Sequence, residues 1–110
     1  MIWRGNMFYG TYEYKIKKRF GYKTGTLAID VDQQAQTLVG KINLKGHTID
    51  LRGKVDGHRI EFYGSRVTKH TTYYFNVGGY SQDDGKTFAG KMEHKGCREG
   101  KDFYATRIED

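Results

Sequence analysis

Between Leu38 and Gly64 the residues alternate between apolar and polar with the period-2 signature of strands buried on one face. Leu38, Gly40, Ile42 and Leu44 fall on one side, and Lys41, Asn43 and Lys45 on the other. Lys45-Gly46 reads as a turn, after which Ile49, Leu51, Gly53 and Val55 form the apolar face against Thr48, Asp50, Arg52 and Lys54. Asp56-Gly57 is a two-residue hairpin signal, and Ile60, Phe62 and Gly64 continue the inner face beyond it. These turns predict a register with Gly40 opposite Leu51, Gly53 opposite Ile60 and Gly64 opposite Ile49. Glycines that face bulky side chains suit a sharply coiled sheet, or else mark ordinary β-bulges.

The same alternation runs on either side of this stretch. Phe8, Gly10, Tyr12, Tyr14 and Ile16 share one face of a first strand, against Tyr9, Thr11, Glu13 and Lys15. Residues 15–23, KIKKRFGYK, are too few for an independent helix and read as a basic hairpin connection. Gly25, Leu27, Ile29 and Val31 point inward from a second strand, and residues 32–35 turn the chain. Residues 65–72 are polar enough for a loop, and Tyr73, Phe75, Val77 and Gly79 then resume the inner face. A four-residue loop at 82–85 places Gly79 opposite Phe88, Val77 opposite Gly90, Phe75 opposite Met92 and Tyr73 opposite His94. Residues 95–101 read as a charged turn and 102–109 as the last strand, while Trp3 is expected to cap one end of the core. The prediction is an all-β, up-and-down antiparallel meander of about eight strands that closes into a barrel and hides its edges, with 1–110 as one domain. An open sandwich is the alternative.

Composition narrows the class. Fifteen glycines, no proline and 15% aromatics suit short strands and tight turns rather than disorder. The single cysteine, Cys97, excludes an internal disulfide. No apolar run approaches a signal peptide or membrane span, so a cytoplasmic location is expected. Nineteen Lys and Arg against 13 Asp and Glu leave a charge of +6, which favours anionic partners and also keeps a small protein soluble.

The two ends of the chain, Phe8-Tyr9-Gly10-Thr11-Tyr12 and Ala105-Thr106-Arg107-Ile108-Glu109, belong together. They resemble the first and last strands of calycins, the superfamily of lipocalins, avidins and fatty-acid-binding proteins. In that family a Gly-x-Trp on the first strand packs against an arginine near the end of the last. The resemblance implies a calycin-like barrel with Tyr12 in the tryptophan's position and Arg107 in the arginine's. An arginine plane on an aromatic ring can close a barrel base while its fork bonds free carbonyls. This chain has tyrosine for the tryptophan, no room for a helical lid between its first two strands, and Glu109 where fatty-acid-binding proteins place a carboxylate-binding tyrosine.

Catalytic chemistry finds little to work with. His47 and His58 start strands at opposite rims, and His94 with His70 is the one pairing that the register allows, without a cysteine or carboxylate at ligand spacing. Ser65, Ser81 and Cys97 have no neighbouring base in a nucleophile arrangement, and the glycines form no phosphate-binding loop. No enzyme activity, cofactor or metal is expected. The inner face instead predicts a binding site for a small hydrophobic or amphipathic ligand, lined by Tyr12, Tyr14, Phe62, Tyr73, Phe75 and Arg107. Arg107 reads either as a latch or as a counter-ion for an anionic ligand. An eight-stranded barrel is just wide enough to be hollow or to be filled by its own side chains. The alternative function uses the outside: Lys41, Lys45, Arg52, Lys54 and Arg59 with Tyr9, Tyr63 and Tyr74, interrupted by Glu13, Asp50 and Glu61, would bind a protein partner or a second copy. Nucleic acid is a less favoured partner for that face.

Overall fold

A computed structural model describes residues 7–44, 46–67, 69–70, 72–94 and 97–109, with the side chains of Tyr73, Cys97, Arg98 and Glu99 outside the description. The expectations for Trp3 and Lys45 also fall outside it. Eight strands follow in order: β1 (Gly10–Lys17), β2 (Tyr22–Asp32), β3 (Thr37–Leu44), β4 (His47–Asp56), β5 (Arg59–Val67), β6 (Thr72–Tyr80), β7 (Thr87–His94) and β8 (Cys97–Glu109). Each pairs antiparallel with the next, and β8 returns to β1, so the up-and-down meander closes into a barrel. The alternation that predicted the strands is the cause of closure. A sheet with one apolar face hides that face most completely by curling around it.

The inner positions form one buried cluster that includes Phe8, Tyr12, Tyr14, Leu27, Ile42, Leu51, Ile60, Phe62, Val77, Phe88 and Phe103. Gly40 pairs with Leu51 as expected. Two other registers differ by two residues from the sequence expectation. Gly53 faces Phe62 and Gly64 faces Leu51, because the β4–β5 turn consists of Gly57-His58 closed by the pair Asp56↔Arg59. Gly57 has φ +58, which suits the first central position of a turn that begins with glycine.

Two strands further round the barrel, Val77 faces Met92, Phe75 faces His94 and Gly79 faces Gly90, so here glycine meets glycine and not a bulky partner. The reason is a loop longer than the sequence suggested. Ser81 is fully buried, and its Oγ accepts from the Gly85 N–H at 2.8 Å and donates to Asp83 at 3.1 Å. The Asp83 carboxylate in turn accepts from the Thr87 N–H and hydroxyl at 2.8 and 2.7 Å, and these bonds hold it below the usual carboxylate range. Local side-chain bonds of this kind compete with the ladder and set the loop length.

Two strands are longer than expected. Ser65, Arg66 and Val67 belong to β5 and pair with Tyr74, Tyr73 and Thr72, and β8 begins at Cys97. Their polarity reflects a position at the rim of the barrel, where both faces of a strand reach water, so alternation fades before the hydrogen bonding does.

Candidate functional site

At the end of the barrel where β1 starts and β8 finishes, Arg107 ties together four segments. Its Nε donates to the Tyr9 carbonyl at 2.9 Å, and its Nη2 donates to the carbonyls of Met7 (2.8 Å) and Gly85 (3.1 Å) and to the Tyr12 hydroxyl (3.0 Å). The Tyr12 hydroxyl donates to the same Gly85 carbonyl. The guanidinium carbon lies 3.8 Å from the Tyr9 ring centre and 5.4 Å from that of Tyr12. Tyr9, expected among the outward aromatics, is thus the ring on which the arginine rests. This geometry is that of a latch: a planar fork with donors matched to carbonyls left over at strand ends.

Inside, the rings form a continuous network. Phe88 lies 5.2 Å from Tyr12, 5.8 Å from Phe8 and 6.3 Å from Phe62 between ring centres, and Phe103 stacks on Tyr14 at 5.5 Å and on Phe88 at 6.1 Å. Tyr12, Tyr14, Phe62 and Phe75 are all buried here, and the Tyr14 hydroxyl donates to the Asn43 carbonyl. Of the expected lining, Tyr12 and Arg107 touch directly, Phe62 joins them through Phe88, and the Tyr73 side chain lies outside the description. Phe103, at the centre of the network, was missed by sequence reasoning, although its alternation with Ala105 and Arg107 along β8 carries the signal.

Burial pushes the hydroxyls of Tyr12 and Tyr14 above the ordinary tyrosine range, with Arg107 opposing the shift at Tyr12. The unfolded chain therefore releases these protons first. The stability they contribute is whole below about pH 10 and is lost as the pH rises through the folded values. Ultraviolet titration of phenolate should show tyrosines that ionise only as the barrel opens, and Tyr14→Phe should remove one of them. Simultaneous ionisation of all nine tyrosines near pH 10 would contradict their burial.

The outside carries a second constellation. The β4–β5 ladder runs from Asp56↔Arg59 to Leu51↔Gly64 and stops, so His47 to Asp50 and Ser65 to Val67 have no register partner across from them. Each segment remains paired on its other side, to β3 and to β6. Between them opens a cleft of about 590 Å³ lined by His47, Thr48, Asp50, Arg52, Ser65 and Arg66, with Ile49 and Gly64 at its floor and Tyr63 and Val67 beside it. The comparable divergence of β2 and β3 is closed by Asn43, whose Nδ2 donates to Thr26 Oγ1 at 2.9 Å.

Next to the opening, Val39, Arg52 and Tyr63 form a row across β3, β4 and β5, with Tyr74 diagonal to Tyr63 on β6. These apolar side chains stand well out of the surface, at 56% exposure for Val39, 58% for Tyr63, 61% for Tyr74 and 77% for Val67. Of the outward cations, Lys41 approaches Asp50 at 3.9 Å and Lys54 approaches Glu61 at 3.7 Å. Among the described residues no carboxylate pairs with Arg52 or Arg66. Nor does any group of three or more described His, Cys, Asp or Glu residues stand where it could hold a metal ion.

Compared with known proteins, the chain matches no family model and no curated sequence.

Proposed function

We propose that this chain is a non-catalytic, calycin-like binding protein that engages a protein partner through the outer face of β3 to β6. The observation that supports this reading is the Val39–Arg52–Tyr63 row with Tyr74 and Val67 at its margin. Contiguous exposed apolar side chains carry a standing cost on a soluble surface unless something covers them. Tyrosine and arginine are also the residues that anchor interfaces best, since each offers large contact area together with hydrogen bonds. The calycin-like assignment rests on the eight-stranded meander and on the meeting of Gly10-x-Tyr12 with Arg107.

The interior alternative would place a small apolar ligand among Tyr12, Tyr14, Phe62, Tyr73, Phe75 and Arg107. Such a ligand must part rings already in contact and compete for hydroxyls already bonded, and so the outer face is preferred. Two measurements decide between them. Arg52→Ala/Tyr63→Ala should melt within a few degrees of wild type, because both side chains are exposed. It should also lose at least about tenfold in capture of the partner that the wild-type protein retains from its own cell extract. Equal capture by both proteins, or a small molecule that travels with the barrel in native mass spectrometry, would reject this reading in favour of another surface or of the interior.

A further inference from the structure

Resting on the outer-face reading, the opening between β4 and β5 identifies what kind of partner segment fits. We infer that it receives an extended peptide as an added strand, one that alternates carboxylate and apolar side chains.

The backbone is the first reason. Strands whose ladder has stopped still point the N–H and C=O of alternate residues sideways. On this edge Thr48 and Val67 do so beyond the last register pair, Leu51↔Gly64, whereas His47 and Ile49 turn theirs to β3 and Arg66 turns its own to β6. Barrel closure removes edges everywhere that the ladders are continuous, so this interruption leaves an edge of the kind that strand addition uses.

Side-chain alternation is the second reason. On the inner face of these segments stand His47 and Arg66, at the rim, whereas on the outer face stand Tyr63 and the exposed Val67 with the small Ser65 between them. Asp50, the acidic residue of the cleft lining, is already approached by Lys41. An added strand sends successive side chains to opposite faces. Its carboxylates would meet His47 and Arg66 on one face, and its apolar residues would cover Val67 and Tyr63 on the other. A net charge of +6 favours the encounter.

The test uses the intact protein and a capped hexapeptide of alternating Glu and Val, followed by NMR. The expected result is saturable shifts at about 1 mM peptide, with slowed amide exchange at Thr48 and Val67. A Lys/Val hexapeptide, or a Glu/Val peptide N-methylated at alternate residues, should bind at least about tenfold more weakly. Arg66→Glu should weaken the Glu/Val peptide by a similar factor, and unchanged exchange protection elsewhere in the barrel shows that the variant is folded. Equal binding of the N-methylated peptide, or no slowing of exchange along these edges, overturns strand addition. Shifts confined to Val39, Arg52, Tyr63 and Tyr74 would do so while leaving the outer-face reading intact. Displacement of the peptide by an oligothymidine, with affinity that falls steeply with salt, would overturn it in favour of a nucleic acid.

Discussion

Gly53→Ala should lower the stability of the barrel by at least about 3 kcal/mol, enough to consume a large part of the margin that holds a small domain folded. Gly53 stands on the inner face of β4 opposite Phe62. A methyl group built on it would overlap the Glu61 carbonyl oxygen of the next strand and lie 2.7 Å from the Phe62 Cα. Because the obstacle is backbone, no change of rotamer relieves it, and the two strands must move apart. The control is Gly78→Ala on the outer face, where an added methyl group meets nothing within 4 Å. That change should stay within about 0.5 kcal/mol of wild type. Urea unfolding of both variants measures the difference. If the two substitutions cost the same, close approach of β4 and β5 is not what Gly53 provides.

Arg107→Lys should cost nearly as much as Arg107→Ala, on the order of 3 kcal/mol. Arginine here serves three carbonyls and a hydroxyl from one planar group while its face rests on Tyr9. A lysine ammonium keeps the charge, but it is a point and cannot reach Met7, Tyr9 and Gly85 together. It would leave carbonyls at a half-buried strand end without donors. Tyr12→Phe, which removes one hydroxyl from the same knot, should cost about 1 kcal/mol. The check is thermal and urea unfolding, together with amide exchange at Gly85 and Arg107, since the Arg107 N–H also donates to the Lys86 carbonyl at 2.8 Å. A lysine variant as stable as wild type would mean that charge alone closes the barrel.

Much of the architecture was legible because strand burial has a local cause. Tyr12, Tyr14 and Ile16, or Leu27, Ile29 and Val31, declare their common face by spacing alone, and the structure buries all six. The Arg107 latch was legible for a different reason. The resemblance of the two chain ends to the first and last strands of calycins implies that Tyr12 and Arg107 meet, and the register Tyr12↔Arg107 brings them together. Its base was harder to see, since Tyr9 lies three residues before Tyr12 on the opposite face of the alternation, and only the closed geometry decides which ring lies under the guanidinium.

The registers of β4–β5 and β6–β7 were not legible, and both slipped by two residues. A slip of two keeps every side chain on its own face, so the hydrophobic pattern is blind to it. What chooses between the two registers is turn chemistry: the left-handed Gly57 in one case, and in the other the Ser81 and Asp83 side chains bonding into their own loop. The opening between β4 and β5 is a further step removed from sequence. The alternating pattern of residues 47–50 and the chain at 65–67 says only that each can be a strand. Whether they pair with each other depends on how far the sheet has twisted and coiled by the time it reaches that rim.

The amino-acid sequence by itself therefore determined the number of strands, the face each one buries, and the charge and aromatic character of what remains outside, because these follow from periodicity within single segments. Only the tertiary structure decided which glycine meets which side chain, how Phe88 and Phe103 gather the other rings around them, and where a ladder stops short. Those are relations between segments distant along the chain, and they are set by turn geometry and sheet coiling acting on the barrel as a whole.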